Sequence, residues 1–102
     1  MPAVPVELVV APEAESDIVA AYDWYEGRRA GLGEEFLSSV DACLESIRRR
    51  PELYRVVHEA YRRSLIRRFP YAVFYEQSES AVTIYAVLHT SRNPGKWRER
   101  LH

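Results

Sequence analysis

Apolar and polar positions along this chain follow two periods, and the change between them falls at Pro51. In residues 6–10, Val6, Leu8 and Val10 share one side by period two, which predicts a short first strand. Pro2 and Pro5 just ahead of it point to a sheet edge. Pro12 suits the first position of a helix, and Glu13 and Glu15 suit the positive end of its dipole. Ala14, Ile18, Ala21, Tyr22 and Tyr25 then recur at helical spacing, with Ala20 and Trp24 as a smaller second stripe. Gly27 weakens the helix end, and Ala30-Gly31-Leu32-Gly33 reads as a turn. A second helix opens on Glu34 and Glu35 and buries Phe36, Leu37, Val40, Leu44 and Ile47, with Cys43 beside that face. Arg48, Arg49 and Arg50 favour its C-terminal end, and Pro51 stops it.

Beyond Pro51 the spacing becomes that of strands: residues 54–58, 61–69, Tyr71–Gln77 and 82–89. Residues 77–80 are short and polar, as a hairpin loop requires, and Pro94 allows a short helix or an extended tail over residues 94–101. The pattern predicts an α+β fold in one domain, residues 1–102. An antiparallel sheet of three to four strands packs on an N-terminal helical hairpin, in the order β-α-α-β-β-β. The sheet face away from the helices needs no cover, since antiparallel sheets tolerate one wet face.

Length agrees with one core: 102 residues suffice for a single domain. No apolar run reaches the roughly 18 residues of a membrane span, and the N-terminus lacks the basic start and apolar middle of a secretion signal. The single cysteine excludes an internal disulfide and fits a reducing compartment, so the expectation is cytoplasmic with no membrane partner. The net charge of −1 hides an asymmetry. Residues 1–47 hold two basic and ten acidic residues, and residues 48–102 hold twelve basic and five acidic ones. Either the two halves complement each other within the fold, or the basic half meets RNA phosphates or an acidic protein.

The basic half carries the candidate chemistry. Arg67 and Tyr75 share a strand parity, and Tyr85 and His89 share one in the last strand. If these faces coincide, one cleft holds arginine, tyrosine and histidine. Cleavage of RNA by its 2′-OH needs a proton shuttle, which histidine supplies, and phosphate clamps, which arginine supplies; aromatic rings stack bases. Pro70 can shift the register, which would exchange the roles of Arg67 and Arg68. A structural hydrogen bond is the competing reading of His89, and His58 and His102 have weaker claims still. Cys43 reads as a core residue, with no neighbouring group to activate it. No Cys/His spacing suits a metal, no glycine-rich loop suits a phosphate, and no cofactor is expected.

The ordered set Tyr22–Tyr25, Gly31-Leu32-Gly33, Phe36, Pro51, Arg62-Arg63, Arg67-Arg68-Phe69-Pro70-Tyr71, Tyr75, His89, Ser91-Arg92-Asn93-Pro94 and Trp97 resembles the RelE/ParE toxin family of type II toxin–antitoxin systems. The resemblance implies a toxin that arrests growth and is neutralised by a cognate protein antitoxin, with operator DNA left to the antitoxin. Two modes stay open: metal-independent, ribosome-dependent mRNA cleavage, as in RelE-like members, or inhibition of DNA gyrase, as in ParE-like members. By position, Arg67, His89 and Arg92 would be catalytic in the first mode, with Arg68, Tyr75 and Tyr85 binding substrate. Trp24, Arg62 and Arg63 are candidates for antitoxin contact. A degenerate, non-toxic module that only binds antitoxin is the alternative.

Overall fold

The structure is a computed structural model that describes residues 7–91 and 96–101. The expectations for Pro2, Pro5, Val6, Pro94 and His102 lie outside these residues. Strand β1 (Glu7–Val10) leads directly into helix α1 (Pro12–Arg28). Pro12 takes the helix start, and Ala14, Ala21 and Tyr25 are buried with Ile18 packed against the same core. Trp24 is 43% exposed, with the Arg28 guanidinium 4.2 Å from its ring centroid.

The turn into α2 (Leu32–Arg49) is organised by Glu26. Gly31 N–H and Gly33 N–H each donate to its carboxylate at 2.9 Å, so the first orphan donors of α2 are capped from the preceding helix. Gly31 has φ +92°, which glycine adopts without strain. At Gly33 a Cβ would stand 2.7 Å from the Tyr22 ring, so only glycine lets the two helices close on each other. With the cap in place, α2 begins at Leu32 rather than at the expected Glu34. Phe36, Val40, Cys43 and Ile47 form its buried face, and Phe36 joins Tyr25, Phe69 and Tyr71 in a cluster of aromatic rings. Edge-to-face contacts such as Tyr25–Phe69, with centroids 4.9 Å apart, suit the ring quadrupoles.

A single 3-10 turn at Pro51–Leu53 precedes β2 (Arg55–His58), β3 (Tyr61–Leu65), β4 (Tyr71–Gln77) and β5 (Ala81–His89). The sheet has five strands in the order β1-β5-β4-β3-β2, not three to four, and it is mixed. β1 lies at one edge, as its sequence suggested, but runs parallel to β5, with Leu8 beside Val82 and Val10 beside Ile84. The helical hairpin and the intervening strands supply the long connection that parallel neighbours need.

Two departures from strict alternation decide which side chains share a face. The strand expected over residues 61–69 ends at Leu65. Ile66 N–H bonds to Tyr71 C=O at 2.9 Å, closing a connection in which Arg68 takes φ +73° and Phe69 turns into the core. The second departure is a bulge: Phe74 pairs with Ala86 but Tyr75 pairs with Ile84, which leaves Tyr85 as the extra residue. A one-residue insertion exchanges faces. Val82, Ile84 and Val87 therefore join the core beneath the helices, while Ala86 and Leu88, which strict alternation would put on the same face as Ile84, pack on the opposite side.

That opposite side is covered. Helix α3 (Lys96–Arg100) lays Trp97 on Phe74, with ring centroids 5.2 Å apart, and Leu101 is buried beside them. Arg100 fixes the helix by a two-pronged contact with Asp17, at 3.1 and 3.0 Å. Asp17 also accepts Val87 N–H at 3.0 Å, so one carboxylate ties α1, β5 and α3 together. Among the described residues, no helix is long and apolar enough to cross a membrane.

Candidate functional site

Arg67, Arg68 and His89 lie at the same end of the sheet. The two arginines occupy the β3–β4 connection and are exposed. His89 ends β5 directly opposite Tyr71, the first residue of β4, and their ring centroids are 5.2 Å apart. Thr90 closes this end, with its N–H on Pro70 C=O at 2.8 Å. Arg68 Nη2 reaches Glu35 Oε1 at 3.1 Å, and Arg29 holds the other oxygen of the same carboxylate at 3.1 Å. Arg29, and after it Arg68, hold the Glu35 carboxyl below the usual carboxylate range. Ser91 N–H donates to His89 Nδ1 at 3.2 Å. Arg92 lies outside the described residues.

The tyrosines do not join this group. Tyr75 is fully buried under the helices and donates its hydroxyl to Pro51 C=O at 2.6 Å. Burial pushes its phenol well above the usual range. Tyr85 is the bulge residue on the opposite face, edge-on to Tyr61 at 5.5 Å. The expected single cleft of arginine, tyrosine and histidine is thus divided by the sheet itself, because β3 stops before Arg67 and β5 carries a bulge.

Arg62 and Arg63 also separate. Arg62 lies opposite Tyr75, and its guanidinium donates to Tyr54 C=O at 2.6 Å and Glu52 C=O at 3.2 Å, so it braces the 3-10 turn. Arg63 lies opposite Phe74 on one side and opposite Arg55 on the other. Together with Arg55, Arg67 and Arg68 it lines a groove of about 1010 Å³ between α2 and the outer edge of β3. The sequence did not disclose this groove. Its one signal is the exposed Ser38, Ala42 and Ser46 on the side of α2 away from the apolar stripe. Cys43 lies at its floor, with Sγ 3.3 Å from Ser64 Oγ, and burial pushes its thiol up, as befits a packing residue.

The helical hairpin on one sheet face, the short C-terminal helix on the other and an arginine-rich edge define a small α+β domain suited to contact with other macromolecules. The family model described as ParE toxin of type II toxin-antitoxin system, parDE, matches residues 8–94, and the chain belongs to this family of toxins. In fold it is similar to a solved chain of the chromosomal ParDE toxin–antitoxin system from P. aeruginosa, with a TM-score of 0.64 at 16% identity. That alignment covers 83% of this chain and 96% of the other. The comparison with curated proteins finds no match.

Proposed function

We propose that this toxin arrests growth by binding a protein target rather than by cleaving RNA, that DNA gyrase is the target, and that a cognate antitoxin neutralises it. The observation that carries the binding mode is the fate of Tyr75. A substrate-stacking or acid–base tyrosine must be exposed, and this one is buried with its hydroxyl spent on the Pro51 carbonyl. Family membership supports the antitoxin and, through the ParE-like side of the resemblance, the gyrase target.

The competing mode is RNA cleavage, favoured by the placement of Arg67, Arg68 and His89 at the same end of the sheet. One experiment separates the two. Purified protein is assayed side by side for inhibition of gyrase supercoiling and for mRNA cleavage in a translation extract, with wild type and His89→Ala. The binding mode expects supercoiling to fail equally with both proteins and mRNA to stay intact. Cleaved mRNA, with a loss of roughly 100-fold or more in His89→Ala, would overturn it in favour of the enzyme. Activity in neither assay would leave the degenerate antitoxin-binding module.

A further inference from the structure

Side chains of β3 divide between the two sheet faces. Arg62 lies opposite Tyr75, and Ser64 Oγ stands 3.3 Å from Cys43 Sγ, so these two face the helical hairpin. Alternation sends Tyr61, Arg63 and Leu65 to the other face, the one that carries α3. There Arg63 lies opposite Phe74 and Leu65 opposite Ala72, and both partners pack with Leu101. Arg55, directly opposite Arg63 on β2, projects on the same side.

Two features of this face are not explained by packing. Like charges directly opposite each other on paired strands are destabilising. Among the described residues, neither Arg55 nor Arg63 has a carboxylate or other side-chain hydrogen bond to offset that. An anion seated between the two guanidiniums would replace the repulsion with charge-assisted hydrogen bonds. The second feature is Leu65, two residues along from Arg63 on the same side. At 62% it is the most exposed large apolar side chain among the described residues.

The rings of this face are engaged elsewhere. Phe74 is buried beneath Trp97, the Arg98 guanidinium lies 5.2 Å from the Trp97 centroid, and Tyr61 packs edge-on to Tyr85. A single nucleic-acid strand would bring the anion, but these rings are packed against protein rather than open to a base. Duplex DNA would bring phosphates and little apolar surface for Leu65. A carboxylate beside an aliphatic side chain answers both features, and that combination belongs to a protein surface.

We propose that the toxin holds its target on this face of β2 and β3, against a patch of the target in which a carboxylate sits beside aliphatic side chains. The carboxylate lies between Arg55 and Arg63, and the aliphatic group packs on Leu65. The inference rests on the reading that the toxin acts by binding gyrase, and it assigns the place and the chemistry of that contact.

The test titrates labelled full-length toxin with purified gyrase in the absence of DNA, and assays each variant for inhibition of supercoiling. Wild-type binding is expected to weaken as salt rises. Leu65→Ser and Arg63→Gln should each weaken binding and inhibition by roughly 3- to 10-fold, with unchanged circular dichroism. Val19→Ser removes a comparably exposed aliphatic side chain from α1 and should change neither. Arg55→Glu discriminates most sharply. It makes the opposed pair complementary, so the urea midpoint of the free toxin should rise while binding to gyrase weakens by roughly 10-fold or more. A merely structural role for the pair would move stability and binding together. Full inhibition by Arg55→Glu or by Leu65→Ser would overturn the proposal and leave the gyrase reading standing. Labelled duplex DNA bound by the toxin more tightly than gyrase would also overturn it. Wild type without effect on supercoiling would overturn the gyrase reading and this inference together.

Discussion

Replacing Tyr75 by phenylalanine tests the assignment that divides this fold from a ribonuclease site. The ring stays, so no large cavity forms, and the change removes one oxygen. That oxygen donates to Pro51 C=O at 2.6 Å within a buried environment. A neutral hydrogen bond of this kind contributes about 0.5–1.5 kcal/mol net. A buried acceptor left without a partner raises the loss toward about 1–3 kcal/mol. The cost should therefore be about 1–2 kcal/mol, or a fall in Tm of roughly 4–15 °C for a domain of this size. Urea unfolding with an unchanged m-value is the assay, since it separates a stability change from a change in compactness. Below the new unfolding transition, toxicity should equal that of wild type. Stability altered by less than about 0.5 kcal/mol together with abolished toxicity would refute the reasoning and return Tyr75 to the site.

Two other substitution sets probe the helical hairpin. Gly33→Ala places a Cβ 2.7 Å from the Tyr22 ring and 2.8 Å from the Glu26 oxygen that caps α2, and should cost about 1–3 kcal/mol in urea unfolding. Gly27→Ala meets nothing within 4 Å and should stabilise by about 0.5–1 kcal/mol, so equal effects at the two glycines would contradict the cap. Glu35 supplies the pH dependence. Because its folded pKa is depressed, its contribution is present above the unfolded carboxylate pKa and is lost as pH falls through the folded value, below the ordinary carboxylate range. An NMR titration should find the midpoint low and restored more by Arg29→Gln than by Arg68→Gln; the reverse order would show that the principal partner is misassigned.

The helical hairpin was legible because its stripes are long: Ala14, Ala21 and Tyr25 on one helix and Phe36, Val40 and Ile47 on the other are buried as their spacing requires. The strands were legible as elements and much less so as faces. Parity fails wherever one residue is inserted, and nothing in Ile84-Tyr85-Ala86 announces the bulge that sends Ile84 and Ala86 to opposite sides. At the other departure a signal existed. Ile66 and Phe69 are both apolar with two arginines between them, a spacing of a turn rather than of a strand, and Pro70 follows. The parallel pairing of β1 depends on a partner some 70 residues away, as does the contact of Asp17 with Val87, and local pattern carries no record of either. For α3, the sequence left a short helix and an extended tail open; Trp97 and Leu101 stand one helical turn apart, but nothing local names the sheet face they cover.

The charge asymmetry of the sequence resolves along the same lines. Had the basic half served only to balance the acidic half, its arginines would be consumed in the fold. Several are: Arg62 braces the turn at Pro51–Leu53, Arg100 holds Asp17, Arg68 meets Glu35, and Arg48 and Arg49 share Glu45. Arg55, Arg63 and Arg67 make no such bond among the described residues, and all three line one groove. Exposed ion pairs contribute little to stability, so the fold loses almost nothing by leaving these three unpaired. Two arginines placed opposite each other on adjacent strands are mildly destabilising in the free protein. Neither consideration requires the fold to use this charge, and it stays accessible at the groove.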